Sequence, residues 1–243
     1  MTNLCLAVEC ATARGSVALV DEHGVRAVRD WDVPERHAES VLPAIEAVLD
    51  EAGVRFDQVA VMGVDVGPGS FTGVRVALAT VKGLAFAHRI PVVGVNSLEV
   101  LAVGAAAGDA DRACTVLTAL DAFKGEVFAA LYAVRGVDVR TVLAPFHADP
   151  ASARERLEAT ASSEPILLAG DAPARWPDAF EGLSELGAPL FRSPTAAALG
   201  AIALGRWPVR GADDLLTLAP FYLRGADAVL PASPLRVSDE PPR

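Results

Sequence analysis

The order of strand-like and helix-like segments is the feature that most constrains the fold of this 243-residue chain. Three β-rich segments joined by short turns come first, and apolar helices then alternate with buried strands. A meander followed by such alternation predicts a mixed sheet with helices on its faces, and therefore an α/β fold. The predicted strands are 4–10, 16–20, 25–31, 59–66 and 91–95, and the predicted helices are 37–52, 74–88 and 97–107.

The second half of the chain repeats this order. The segment ALDAFKGEVFAAL resembles VECATARGSVALV near the start, because in both a strand ends in an acid, a small-residue turn follows and a second strand begins. The repetition predicts an internal duplication. The predicted elements of the second half are the strands 116–121, 126–134, 139–143 and 165–170 and the helix 149–161.

Two serines predict helix starts. Ser97 is expected to cap the helix that follows it, and Ser193 with Pro194 is typical of the N-cap and first position of a helix over 194–207. Residues 225–243 carry four prolines and little periodicity, so we expect a mobile tail there.

Composition and charge exclude several classes of protein. With 52% hydrophobic residues the chain is too apolar to be disordered. It has 31 Asp and Glu against 21 Lys and Arg, and the basic residues are scattered singly, so we expect another subunit to hold any RNA. The N-terminus lacks the basic start of a signal peptide, and Lys82 interrupts the most apolar stretch. We therefore expect a cytoplasmic protein without a membrane span.

The segment GPGSFTG at 67–73 lies between a predicted strand and a predicted helix. Free N–H groups at the start of that helix, capped by Ser70 or Thr72, could bind an anion. Alternatively, the glycines only satisfy the sterics of a tight connection. The segment matches neither the Walker loop nor the GxGxxG motif of dinucleotide-binding proteins, so both interpretations stay open.

An acid ends the first strand of each half, Glu9 in one and Asp121 in the other. Such a pair could face a cleft and hold a metal with nucleotide phosphates, or each acid could cap its own turn. The candidate nucleotide or anion site consists of Glu9, Thr12, Gly67, Gly69, Ser70, Thr72 and Asp121. We expect the four histidines to be exposed and predict no metal site, because none is spaced as a ligand pair. No catalytic triad can be assembled, so we predict no catalytic residue.

The helices at 37–52 and 74–88 each carry an apolar stripe, and small residues in the second permit close approach of another helix. The stripe either packs inside the chain or binds a partner. The residues predicted to bind a partner are Val41, Ile45, Val48, Leu49, Val74, Ala77, Leu78, Val81 and Ala85. On this hypothesis Ala77→Arg disrupts the complex, whereas Glu9→Ala leaves activity intact.

Five segments carry a family resemblance: LAVECATARGSVAL, HAESVLPAIEAVLDEAG, ALDAFKGEVFAALY, PFYLR at 220–224 and, above all, GPGSFTGVRVALATVKGLAFAHRIPVVGVNSLEVLA. In these segments the chain resembles the bacterial TsaB (YeaZ) family of the tRNA threonylcarbamoyladenosine pathway. It covers most of 4–134 and follows 135–215 only in outline. Family members usually read Asp-Thr at the first turn, where this chain has Glu9 and Cys10, which puts a nucleotide contact there in doubt.

The resemblance implies an ASKHA fold (actin-like ATPase, sugar kinase, Hsp70) of two similar RNase H-like lobes. Residues 1–107 and about 193–224 would form the N-terminal lobe with the partner-binding helices, and 108–192 the C-terminal lobe. It also implies a noncatalytic scaffold, which dimerises with the catalytic paralogue TsaD while the ATPase TsaE joins. The chain would then carry no cofactor, ATP and Mg²⁺ would act in the complex, and tRNA would bind only through it. The same helices could also form a homodimer, so the choice of partner stays open.

The sequence leaves two other functions open. An ASKHA-type ATP-dependent phosphotransferase would use Glu9, Asp121 and the GPGSFTG loop around Mg-ATP. A metallopeptidase-like protein would require a pair of metal ligands that the histidine spacing does not supply.

Overall fold

The N-terminal half forms a five-stranded mixed sheet. The computed structural model describes residues 3–32, 36–107, 113–160, 166–183 and 192–224. The first three strands form an antiparallel meander, and the last two run parallel to β1. The order across the sheet is β3-β2-β1-β4-β5. The strands are β1 (Leu4–Glu9), β2 (Gly15–Asp21), β3 (Gly24–Trp31), β4 (Val59–Asp65) and β5 (Val92–Val95).

A four-stranded sheet in the second half follows the same plan. Its first three strands are again an antiparallel meander, and β9 runs parallel to β6. The order is β8-β7-β6-β9. The two sheets thus share the topology that the internal duplication predicts. The strands are β6 (Cys114–Asp121), β7 (Val127–Arg135), β8 (Asp138–Ala148) and β9 (Ile166–Ala169).

Helices cover both sheets and fill the space between them. α1 and α2 pack on the outer face of the first sheet, α3 and α7 lie between the sheets, and α4 to α6 cover the outer face of the second. The helices are α1 (His37–Ala52), α2 (Phe71–His88), α3 (Ser97–Ala106), α4 (Pro150–Glu158), α5 (Ala172–Arg175), α6 (Pro177–Phe180) and α7 (Ala196–Arg210).

Side chains alternate along β1, so this strand contributes residues to the cores on both faces of the sheet. Leu6 and Val8 pack toward α1 and α2, whereas Cys5 and Ala7 belong to the core between the sheets. Small residues on that inner side let α7 approach closely: a Cβ atom at Gly63 would lie 3.2 Å from the Cβ atom of Ala203. Residues 196–210 thereby lie against the N-terminal sheet.

Two predicted helix starts are wrong. α3 is capped by Asn96, whose Oδ1 accepts from the Leu98 N–H at 2.9 Å, and Ser97 is already helical. α7 begins at Ala196, because Thr195 Oγ1 accepts from the Ala198 N–H at 3.3 Å. Ser16 Oγ on β2 accepts from the Ala196 N–H at 2.7 Å and satisfies a further donor. The cap therefore comes partly from the sheet, which local sequence does not reveal.

The corrected cap of α7 predicts a difference between two neighbouring hydroxyls. Thr195→Ala should lower the free energy of unfolding by about 1 kcal/mol, because it removes the acceptor for the Ala198 N–H. Ser193→Ala, the control, should leave stability within about 0.5 kcal/mol of wild type. Urea denaturation of the two variants measures both values, and equal losses would contradict the assignment of the cap.

α1 spans the predicted range 37–52 and contains Pro43, which is exposed and has no N–H to donate within the helix. Other boundaries differ by several residues. β8 extends to Ala148, beyond the predicted 139–143, and the short helices α5 and α6 were not predicted. The predicted tail at 225–243 lies outside the described residues.

Candidate functional site

The GPGSFTG loop packs directly on the turn that follows β1. The Ser70 N–H donates to the Ala11 carbonyl oxygen at 2.7 Å. A Cβ atom at Gly69 would overlap that same oxygen, and one at Gly73 would overlap the carbonyl oxygen of Cys10. The two glycines are therefore required by the close approach of two backbone segments, which supports the steric interpretation of the motif.

The loop presents an environment unfavourable to an anion. The carbonyl oxygens of Cys10 and Ala11 face it from one side, and a Cβ atom at Gly67 would lie 3.2 Å from the carbonyl oxygen of Phe221. The N–H of Gly73 already donates to Ser70 Oγ at 3.2 Å. An anion at Gly67, Gly69, Ser70 and Thr72 stays a prediction, and carbonyl oxygens with their partial negative charges weaken it.

Two carboxyl groups lie buried behind this loop, at the ends of the neighbouring parallel strands β1 and β4. Both Glu9 and Asp65 are fully buried. Glu9 Oε1 accepts from the Ala11 N–H at 2.5 Å. Asp65 Oδ1 accepts from the Gly67 N–H at 2.7 Å and the Ser97 hydroxyl at 2.5 Å. The second oxygens, Glu9 Oε2 and Asp65 Oδ2, have no hydrogen-bond partner among the described residues.

Burial raises the pKa of both acids. It raises the pKa of Asp65 to about 7, because the hydrogen bonds from Ser97 and Gly67 only partly offset desolvation. Desolvation and the charge of Asp65 together raise the pKa of Glu9 well above its usual range. The same burial, with the two nearby acids, raises the pKa of the Cys10 thiol. Glu9 therefore lies in the interior as part of an acid pair, rather than on the wall of an open cleft.

The other predicted nucleotide residues are occupied locally. Asp121 forms an ion pair with Arg175 at 2.6 Å and accepts from the Phe123 N–H, so its described contacts lie within the C-terminal sheet and its helices. Thr12 donates from its hydroxyl to the carbonyl of Arg14 at 3.1 Å. The structure thus brings Glu9 and Thr12 to the glycine loop but gives Asp121 a partner elsewhere.

His37 is not exposed, which corrects the prediction for this histidine. It is buried at the start of α1, where Trp31 Nε1 donates to Nδ1 at 2.8 Å and the Thr12 carbonyl lies 3.0 Å from Nε2. This arrangement fits a neutral ring with its proton on Nε2. His37 therefore fastens α1 to β3 and to the turn after β1.

The nine residues predicted to bind a partner face the interior of the chain instead of its surface. All nine are buried, eight of them in the core between α1, α2 and the first sheet, so their side chains are not available to another protein. The ninth, Val74, lies beside Gly67 of the glycine loop. Their apolar stripe packs inside the chain, because the sheet needs a cover. Ala77→Arg is consequently the wrong test of a partner surface. The nine are Val41, Ile45, Val48, Leu49, Val74, Ala77, Leu78, Val81 and Ala85.

The opposite side of α2 carries an exposed row of small and aromatic residues. Ala79 and Gly83 lie between two exposed phenylalanines, Phe71 and Phe86, and Phe86 is 81% exposed. A Cβ atom at Gly83 would meet no atom within 4 Å. Leu42 on the neighbouring α1 is also half exposed. We name this the outer helix face; counting 3.6 residues per turn from Phe71 would have found it.

A C-terminal segment borders the outer helix face. Lys82 Nζ donates to the Leu218 carbonyl at 3.0 Å, and Arg75 Nε donates to the Tyr222 hydroxyl at 2.8 Å. The Arg75 guanidinium also lies 3.4 Å from the centre of the Phe71 ring. Leu216 in this segment is 91% exposed. The sequence does not predict this segment as part of a surface, because residues 211–219 form no regular helix or strand.

Within the described parts of the chain, no group of three His, Cys, Asp or Glu side chains is placed to hold a metal ion. None of the helices described is both long and apolar enough to cross a bilayer.

Comparison with known proteins identifies the relatives of this chain. A family model described as "TsaD: tRNA N6-adenosine threonylcarbamoyltransferase" matches residues 32–165. The tRNA threonylcarbamoyladenosine biosynthesis protein TsaB of Escherichia coli K12 is 36% identical over 127 residues, 52% of this chain and 54% of that protein. The protein of that name from Haemophilus influenzae is 36% identical over 129 residues, 53% of each. The chain therefore spans about half the length of the curated relatives it matches.

A solved structure extends the similarity to nearly the whole chain. YeaZ from Pseudomonas aeruginosa is 29% identical, with a TM-score of 0.76 over 91% of this chain and 100% of that one. Two mixed sheets that share the order of their first four strands, with helices between and outside them, fit the ASKHA α/β fold. The chain belongs to the TsaB (YeaZ) family, within the broader group that the TsaD model describes.

Proposed function

We propose that this protein is a noncatalytic scaffold in the synthesis of tRNA threonylcarbamoyladenosine. It dimerises with a catalytic TsaD-type subunit, and a TsaE-type ATPase joins the pair. The observation that carries the proposal is the outer helix face, on which Ala79 and Gly83 lie between exposed Phe71 and Phe86. Exposed aromatic rings beside small residues fit the surface of another helix, because the rings supply buried area and the small residues permit close approach.

Charge and family membership support a noncatalytic role for this chain beside a catalytic partner that holds the tRNA. The net charge of −10 disfavours direct binding of tRNA, which the partner would hold. The relatives at 36% identity carry the name of this biosynthesis, and the matching family model bears the name of its transferase. A buried acid pair and a loop crowded by carbonyl oxygens favour a chain that leaves ATP and Mg²⁺ to the complex.

Reconstitution tests this function. Purified TsaD and TsaE from the same organism, with tRNA, threonylcarbamoyl adenylate and ATP, should modify tRNA at least about tenfold faster when this chain is added. The chain alone, with the same substrates, should modify no tRNA. Modification by TsaD and TsaE at the same rate without the chain would contradict the proposal, as would modification by the chain alone.

Gly83 offers a test with effects of opposite sign. Gly83→Ala should stabilise the isolated chain by about 0.5–1 kcal/mol, because alanine is the better helix former and its Cβ atom meets nothing. The same methyl group should weaken binding to TsaD about tenfold if the partner helix rests on the glycine. Thermal unfolding and a binding titration measure the two effects. Tighter or unchanged binding would remove Gly83 from the interface.

A further inference from the structure

A groove of about 590 Å³ borders the outer helix face, between α2 and the C-terminal segment at 216–222. Its lining is mostly apolar, and part of it is open to solvent, since Leu216 is 91% exposed and Leu218 is half-buried. The volume lies within the range of pockets that hold a drug-sized molecule, so the groove can take several side chains of another protein. The apolar lining residues are Leu78, Ala79, Leu216, Leu218, Ala219 and Pro220.

Two basic residues of α2, Arg75 and Lys82, line the same groove. Their spacing along the helix places them on one side of α2, about two turns apart. Each is held by a neutral acceptor of the C-terminal segment, Arg75 by the Tyr222 hydroxyl at 2.8 Å and Lys82 by the Leu218 carbonyl at 3.0 Å. Within the described chain neither forms an ion pair, and no acid is among the lining residues. Both cations therefore keep donors for a ligand, and we name this site the basic groove.

The two acids that precede the groove in sequence are engaged elsewhere. Asp213 Oδ2 accepts from the Gly94 N–H at 2.7 Å and lies 3.1 Å from the Arg210 guanidinium. Asp214 Oδ1 accepts from the Leu216 N–H at 2.9 Å, within its own turn. The positive charge of the basic groove is therefore not balanced by its own segment.

The charges on the outer surface of the N-terminal sheet are polarised. α1 exposes a row of acids, Glu39, Glu46 and Asp50. α1 covers β2 and β3, α2 covers β4, and the C-terminal segment reaches β5 through Asp213. Because the order across the sheet is β3-β2-β1-β4-β5, the acid row and the basic groove lie on opposite sides of α2. A partner seated on this surface has to present the reverse order of charges.

The chemistry of the basic groove suits an acidic stretch of protein. A guanidinium and an ammonium group both bind carboxylates by charge-assisted hydrogen bonds, and the leucines beside them favour an apolar side chain next to the acid. A nucleic acid backbone would need a longer basic stripe, which this chain with its net charge of −10 does not carry here. Ala79 belongs both to the groove and to the outer helix face, so a helix seated on that face brings its flanking residues to the groove.

We propose that the basic groove binds an acidic segment of the TsaD-type partner, with a carboxylate between Arg75 and Lys82 and a neighbouring apolar side chain on Leu216 and Leu218. The inference rests on the proposed scaffold function and adds the chemistry of the partner to it. It also fixes the orientation of the partner, whose acidic side faces the groove and whose basic side faces the acid row of α1.

Titration of the full chain with TsaD from the same organism, at low and at high NaCl concentration, tests the proposal. Arg75→Gln combined with Lys82→Gln should weaken binding at least about tenfold at low salt and much less at high salt, because salt screens ion pairs at an exposed rim. Arg135→Gln combined with Arg140→Gln is the matched control. It removes the same two charges from exposed positions on β7 and β8 and should bind like wild type at both salt concentrations.

The salt dependence separates an electrostatic role from a structural one. Loss of affinity by the same factor at both salt concentrations would mean that the double variant only loosens the C-terminal segment, and would overturn the proposal. Wild-type affinity in the Arg75 and Lys82 double variant would overturn it as well, and a weakened Gly83→Ala would then leave the scaffold function standing. A wild-type chain that does not bind TsaD at all would overturn both. Self-association that the double variant abolishes, with binding to TsaD unchanged, would assign the groove to a second copy of the chain instead.

Discussion

Ala79→Arg should weaken the complex with the TsaD-type partner by about 100-fold or more while leaving the isolated chain folded. Ala79 is exposed in the middle of the outer helix face, so an arginine there stays in water when the chain is alone. In the complex the same guanidinium would be buried without a partner, which commonly costs a few kcal/mol. A binding titration gives the affinity, and circular dichroism gives the fold.

Two further variants make this prediction specific. Ala77→Arg lies two residues away but is fully buried in the helix–sheet core, so it should unfold the N-terminal lobe instead of acting on the interface. Ala159→Arg, exposed at the end of α4, should change neither stability nor binding measurably. Wild-type affinity in Ala79→Arg, with intact circular dichroism, would exclude the outer helix face as the partner surface.

The buried acid pair should make the protein less stable as pH rises from about 5 to 8. The pKa of Asp65 is raised to about 7 in the folded state, and the pKa of Glu9 is raised as well. The folded chain therefore binds more protons than the unfolded chain through this range, and linkage makes the free energy of unfolding fall with rising pH. For Asp65 alone, the loss across this range is about 2–3 kcal/mol.

Asp65→Asn tests this account. The amide keeps an oxygen that accepts from Gly67 and Ser97, but it does not titrate in this range of pH. Relative to wild type, the variant should gain about 2–3 kcal/mol between pH 5 and pH 8 in urea denaturation. The charges of Arg14 and Asp30 also act on Glu9, and both groups are unchanged in the variant.

Asp57→Asn, an exposed control, should follow the wild-type dependence on pH. A stability difference between Asp65→Asn and wild type that does not change with pH would show that the pair carries no extra proton in the folded state.

The elements of the fold could be predicted from the sequence because their hydrophobic periods are clear. α1 and the first meander lie close to their predicted ranges, whereas β8 of the second meander is longer than predicted. The side of each helix that is buried could not be predicted as reliably. α2 has apolar or small residues almost all round, so periodicity alone does not separate Ala77 from Ala79. The side of α2 that is buried is the side that packs on the sheet, and the position of the sheet depends on residues far away in the chain.

The buried acid pair shows the same limit. The sequence singles out Glu9 because it ends a strand, but it shows Asp65 only as part of β4, and the pairing of these acids depends on the parallel register of β1 and β4. A contact between distant segments, rather than a local motif, creates this site.

The most direct test of the scaffold account is the mass of a mixture of this chain with TsaD from the same organism, measured by light scattering after size-exclusion chromatography. The account predicts a single species with the mass of a one-to-one complex, and its loss with Ala79→Arg but not with Ala159→Arg. Two separate peaks at the masses of the free proteins, at concentrations well above micromolar, would contradict it.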